Sequence, residues 1–363
     1  MDREHARWWG ATLFGFTVAF AAGLVLGMVV LPSGGSSATS SYAPAARTHA
    51  PATTKPRATG RTAIPVAPDA SGSATSVPVS PSQPISSPQP ASPSVDTSSF
   101  VAWGVPFTGP VDCGGSSCQV QLDVHVPAGP GPFPTVVMVR GGPSGLGGRS
   151  YLNSFAAELA SAGILVFNAD YRDRASEDGG YPAAFEDVAC AVRFARVEAG
   201  KYRGEAGSVT LVGHSLGGWV GSVVALDPTQ FEGGCLANGS GRPDAFVGLA
   251  GNYQIDSGRN ASDLSIFFGG SAADTAGARA SSNPFNYATG TPIPVWLVAG
   301  TADSTVDPAA SVALNSFLKG RGWHVSLDLI PGASHASIIG TGPDSQRSLS
   351  AVSAAVVAAR HAD

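Results

Sequence analysis

Beyond residue 99 the chain alternates between two textures. "QVQLDVHVPA" sets apolar against polar residues one by one, the period of a strand with one covered face. "PTVVMVR", "GILVFNADY", "SVTLVG", "AFVGLAG" and "PVWLVAG" are almost continuously apolar. Such runs suit parallel strands covered on both faces, and "HVSLDLIPG" predicts a last strand. Between them stand "SYLNSFAAELASAG", "PAAFEDVACAVRFARVEAG", "SLGGWVGSVVALDP", "DPAASVALNSFLKGRG" and "SQRSLSAVSAAVVAARHAD". Each can align Ala, Leu, Val or Phe along one helical face. Strands alternating with helices predict the α/β class, a mostly parallel central sheet flanked by helices. Residues 100–363 form this expected domain, without an internal repeat.

The pattern changes upstream. Residues 32–99 are mostly Ser, Thr, Pro and Ala and cannot bury enough apolar surface to offset their ordering entropy. They read as a disordered linker. Before it, Gly10–Leu31 has no charged residue and about the length that spans a bilayer. Arg3, His5 and Arg7 precede it, which predicts a cytoplasmic N-terminus over 1–9 and a transmembrane signal-anchor over 10–31. The domain would then lie on the extracytoplasmic side of a single-pass cell-membrane protein. A signal cleaved after Ala38, releasing a secreted form, and a stretch that never inserts are the alternatives.

Charge follows the same boundary. Residues 1–99 carry a balance of +2 and residues 100–363 a balance of −7. An acidic domain without a basic stripe gives no support to a nucleic-acid partner. The four cysteines fit export. "CGGSSC" sets Cys113 and Cys118 around a small loop, leaving Cys190 and Cys235 for a second bridge. Reduced thiols or a metal site are the other readings, and metal sites usually show tighter Cys/His clustering.

The chemistry centres on Gly213-His214-Ser215-Leu216-Gly217. A Gly-x-Ser-x-Gly turn between a predicted strand and a predicted helix projects its serine from the strand end as a nucleophile. A serine hydroxyl needs a base. His5, His49 and His361 lie in tails, His125 is mid-strand, and His324 opens a strand. His214 sits on the wrong side of a sharp turn. His335 follows the last predicted strand, at the sheet edge that carries the elbow, and is the candidate base. Asp303 and Asp307 both follow the penultimate strand. Asp303, nearer its end, is the candidate to orient His335, and Asp307, before Pro308, reads as a helix cap. Ser, Asp, His is the chain order expected of an α/β-hydrolase.

From Val120 to Ala336 the chain resembles the α/β-hydrolases of the esterase/lipase superfamily, nearest the short-cap carboxylesterases. "LDVHVPAGPGPFPTVVMVRGG" is similar to that family's opening strands, and "NADYR" with "YPAAFEDVACAVRFAR" to its next strand and helix. "FVGLAGNYQI" and "NPFNYA" resemble the strand and cap segment that follow. The resemblance implies a short cap at about 258–288. It also gives "VRGGPSG" a role, since the family's equivalent turn, usually His-Gly-Gly-Gly or His-Gly-Gly-Pro, supplies part of the oxyanion hole. By position the donors are the N–H groups of Leu216 and Gly142, with Gly141 as support. Pro143 has no N–H. Arg140 stands where that family places histidine, a departure that bears on rate and loop geometry. Arg172 reads as an anchor for Asp170, Asp173 or Glu186, or as a solvated side chain, and Trp219 as a core aromatic or, one turn past the elbow, a pocket-lining one.

The sequence therefore predicts a membrane-anchored serine hydrolase that cleaves small carboxylic esters through Ser215, His335 and Asp303 and an acyl-enzyme. It needs no metal or organic cofactor. A serine peptidase or amidase, an acyltransferase, and a non-catalytic tethered binding domain are the rival readings. Oligomeric state is not legible.

Overall fold

A computed structural model describes residues 97–174, 179–226, 231, 233–255 and 261–361. Eight strands form the main sheet. In chain order they are β1 (Phe100–Pro106), β4 (Gln121–Val126), β5 (Phe133–Val139), β6 (Leu165–Ala169), β7 (Gly204–His214), β8 (Ala245–Leu249), β9 (Val295–Gly300) and β10 (Val325–Ile330). A two-stranded hairpin, β2 (Val111–Asp112) with β3 (Ser117–Cys118), lies outside it. The spatial order is β1-β4-β6-β5-β7-β8-β9-β10. β1 and β4 pair antiparallel with their neighbours, and every pair from β6 to β10 is parallel.

Side-chain alternation divides the core into two layers. On β5, Val137 and Val139 enter the cluster containing α2 (Ala183–Glu198), α3 (Leu216–Leu226) and α6 (Ala309–Lys319). Val136 and Met138 enter the other, with α1 (Asn153–Ser161) and α7 (Pro343–Ala359). Both faces of the strand are dry, which is why its sequence shows no polar alternation. α4 (Ala261–Phe268) and α5 (Ala276–Ser281) fall between β8 and β9, within the segment expected to form the cap. Residues 258–260 of that segment lie outside the described residues. Cys113 is bonded to Cys118 across the β2–β3 turn, and Cys190 on α2 to Cys235.

The expected membrane anchor requires correction. Among the described residues no helix is long and apolar enough to cross a membrane. The most apolar, α3, has 11 residues and rises about 16 Å at 1.5 Å per residue, against roughly 30 Å of hydrocarbon. α7 is longer but carries Asp344 and Arg347 and packs its apolar stripe on the sheet. The stretch 10–31 itself, with the linker up to residue 96, lies outside the described residues. The transmembrane helix, the membrane as a partner and the extracytoplasmic placement built on it are withdrawn.

Candidate active site

β7 ends at His214 and α3 begins at Leu216, so Ser215 is the whole connection. Its φ is 56°, the left-handed region that costs a non-glycine residue of order 1–3 kcal/mol. Surrounding hydrogen bonds hold it there. Ser215 N–H donates to the Leu249 carbonyl at 2.9 Å, and the Ser215 carbonyl accepts from Gly218 at 3.0 Å and Trp219 at 3.3 Å. The flanking glycines are required by crowding. A Cβ on Gly213 would collide with the Gly217 carbonyl, and one on Gly217 with the Arg140 carbonyl. The elbow and the turn after β5 are thus packed backbone against backbone.

His335 and Asp303 reach the same edge from the loops after β10 and β9. His335 Nδ1 donates to Asp303 Oδ2 at 2.7 Å, which leaves Nε2 unprotonated in this tautomer. Asp303 Oδ1 accepts from the N–H groups of Thr305 (2.8 Å) and Val306 (2.9 Å). Burial pushes the Asp303 carboxyl upward, but the His335 hydrogen bond and the Val306 and Thr305 N–H groups more than offset it, and its pKa lies below the usual carboxylate value. Asp307 is exposed and accepts from the Ala309 N–H at 2.9 Å, the job of a cap.

Ser215, His335, Gly141 and Gly142 line one cleft of about 290 Å³. Gly141 lies against the elbow so closely that a Cβ there would stand 2.5 Å from Ser215 Cβ. Gly142 has φ 65°, and the N–H of Leu216 is in the first turn of α3, where no intrahelical acceptor exists. His214, set aside by the sequence, also lines the cleft and packs against His335 with ring centroids 4.6 Å apart and planes tilted by 47°. Tyr151, Ser144, Thr305 and Asp263 complete the wall and had no sequence signal.

Arg140 is fully buried. Its guanidinium pairs with Asp170 (3.1 Å) and Asp173 (2.6 Å) and donates to the carbonyls of Gly142 (3.0 Å), Gly145 (2.6 Å) and Tyr171 (3.1 Å). Asp173 also accepts from the N–H groups of Ser144 and Gly145, and Asp170 from Gly147. Arginine therefore organises the turn after β5 by gathering its carbonyls while the two aspartates gather its N–H groups. Burial opposes this charge, but Tyr171, Asp173 and Asp170 raise its pKa above the usual arginine value. Arg172 differs from expectation: it makes a two-point pair with Asp187 at 2.8 and 2.9 Å, because Asp170 and Asp173 are committed to Arg140. Trp219 is a core aromatic whose Nε1 donates to the Ser282 carbonyl at 2.7 Å.

His214 supplies a test of pH response. The carbonyl of His335 must accept, so His214 Nε2–H donates to it at 3.1 Å, and Nδ1 is buried without a partner. Burial first, then the neighbouring His335, hold this imidazole down to about 3. The unfolded chain, with an ordinary value of 6.5, binds the extra proton between these limits. Stability is therefore full above pH 6.5 and falls as pH drops towards 3. His214→Gln can still donate to the carbonyl but does not titrate. Thermal melts at pH 7 and pH 4 are expected to show a smaller acid-induced drop in Tm for the variant than for the parent.

Comparison with known proteins agrees with this architecture. The BD-FAE family model matches residues 122–318, more than half of the chain. A rice protein (Oryza sativa subsp. japonica) named "Probable isoprenylcysteine alpha-carbonyl methylesterase ICME" is 27% identical over 145 residues, 39% of this chain and 34% of that protein. A bifunctional GH43-CE structure from Bacteroides eggerthii superposes with a TM-score of 0.56 at 22% identity, covering 65% of this chain and 33% of that one. The matched region thus spans about a third of the length of each of these two. A truncated carbohydrate esterase from gut microbiota gives a TM-score of 0.60 at 19% identity, covering 73% of this chain and 99% of the other. At such identities the structures show a shared fold. On the strength of the family match, the chain belongs to the BD-FAE family, carboxylesterase/lipase-like hydrolases of the α/β-hydrolase fold.

Proposed function

We propose that this chain hydrolyses small carboxylic esters with Ser215 as nucleophile, His335 as base and Asp303 as its orienting carboxylate. One observation carries the reading. Ser215 is held in a left-handed conformation in the cleft it shares with His335, whose other nitrogen is bonded to Asp303. His335 Nε2 takes the Ser215 proton as Oγ attacks the ester carbonyl, and Asp303 stabilises the imidazolium. The carbonyl oxygen, now negative, accepts from the N–H groups of Leu216 and Gly142, with Gly141 shaping the approach. Collapse of this intermediate transfers the His335 proton to the leaving alcohol and leaves an acyl-Ser215. Water then gives a proton to His335, attacks the acyl carbon and releases the acid as the proton returns to Ser215.

A fluorophosphonate probe tests the proposal. It should add to the purified chain at one position, mapped by peptide mass spectrometry to Ser215, and abolish p-nitrophenyl acetate hydrolysis. An unlabelled protein, or a label elsewhere, would sink the assignment. Labelling at Ser215 without ester turnover would favour an amide substrate or acyl transfer instead.

A further inference from the structure

Among the described residues that line the cleft, one carries an uncompensated charge. Asp263, near the start of α4, is partly exposed there. Asp303 is bonded to His335, and two arginines in and after the turn that follows β5 are paired elsewhere. Arg140 is sealed against Asp170 and Asp173, and Arg149, 15% exposed, is held by Asp123 and Asp170. Among the described residues, no lysine or arginine lines the wall. Tyr151, 51% exposed, lines it together with Asp263. A carboxylate and an aromatic side chain lining one cleft make a cation site, since both attract positive charge and neither requires a hydrogen bond from it. The domain's balance of −7 adds to the same attraction at long range.

We propose that the cleft selects esters bearing a positive charge, an alkylammonium group on the substrate seated against Tyr151 and Asp263. The inference rests on the ester-hydrolase reading above and adds the substrate's charge.

The test compares two thioesters of the same shape, acetylthiocholine and S-(3,3-dimethylbutyl) thioacetate, which differ by the charge of one atom and release a thiol read the same way. At low salt the wild type should favour the cation by roughly tenfold in kcat/KM, and salt should reduce that ratio. Asp263→Asn should bring the ratio close to one, and Tyr151→Leu should lower it. Asp274→Asn removes an exposed carboxylate outside the cleft and should preserve the ratio. A wild-type ratio near one overturns the inference, as does a ratio that survives Asp263→Asn or falls equally with Asp274→Asn. Turnover of neither thioester overturns the ester-hydrolase reading along with it. Equal turnover of both overturns the charge preference alone.

Discussion

Ser215→Ala is expected to lower kcat for ester hydrolysis by roughly 10⁶-fold, leaving what binding and oxyanion contacts supply without a nucleophile. Asp303→Asn should cost less, roughly 10⁴-fold, because Ser215 and His335 remain. The difference follows from the hydrogen bonds. Asp303 accepts His335 Nδ1–H at 2.7 Å, whereas an amide can turn its NH₂ towards the ring and favour the tautomer with the proton on Nε2. That tautomer cannot take the Ser215 proton. Asparagine can keep the Thr305 and Val306 N–H groups satisfied through its carbonyl oxygen, so the fold should survive. Steady-state kcat for p-nitrophenyl acetate, with thermal melts of each variant, checks both halves. The double variant should be no slower than Ser215→Ala, since residues acting as one unit do not add. An Asp303→Asn enzyme as fast as the parent would remove Asp303 from the mechanism.

What the sequence could and could not foretell divides by the range of the interactions. β5 to β9 were legible because burial on both faces leaves continuous apolar runs. The elbow was legible because its two glycines are dictated by contacts within five residues and with the adjoining turn. Asp303 and Asp307 separated by distance from the strand end, a local property. β1 was missed: "FVAWGVP" is an edge strand broken by an irregularity between Ala102 and Val105, with Phe100 and Trp103 exposed, so no alternation survives. The role of Arg140 was illegible because its carboxylate partners stand 30 and 33 residues away. The same blindness misassigned Arg172, whose partner Asp187 lies one helix later. Tyr151 and Asp263 join the cleft only through tertiary approach, and neither belongs to a local motif. The anchor was inferred from an uncharged apolar length and its basic flank, local properties that measure a stretch's affinity for lipid and not the architecture it enters.

Arg140 carries the second large expected effect, and its buried network gives the expected sign. With histidine as the familiar occupant, arginine could have been a handicap whose replacement restores activity. The buried network argues the reverse. Arg140→Met would strand Asp173 without a cation and leave the carbonyls of Gly142, Gly145 and Tyr171 without this donor, at a cost of about 3–5 kcal/mol of stability. Arg140→His should also lose stability and turnover, because an imidazole cannot span two carboxylates and three carbonyls at once. Arg140→Lys keeps the charge but not the planar fork, and should fall between. Gly148 shows how closely the turn is fitted: a Cβ there would lie 2.6 Å from Arg140 Nε. Urea unfolding gives the stability loss, and kcat against KM separates its consequence. A turn that no longer aims the Gly142 N–H should lower kcat more than it raises KM. The double variant Arg140→Met with Asp173→Asn isolates the cause. Asparagine can still accept from Ser144 or Gly145 but carries no charge, so stability should partly return if the stranded carboxylate is the main cost. Because Arg140's bonds to the turn carbonyls stay broken, kcat should not return with it, and recovery of both together would show that the turn needs only charge balance and not the guanidinium itself.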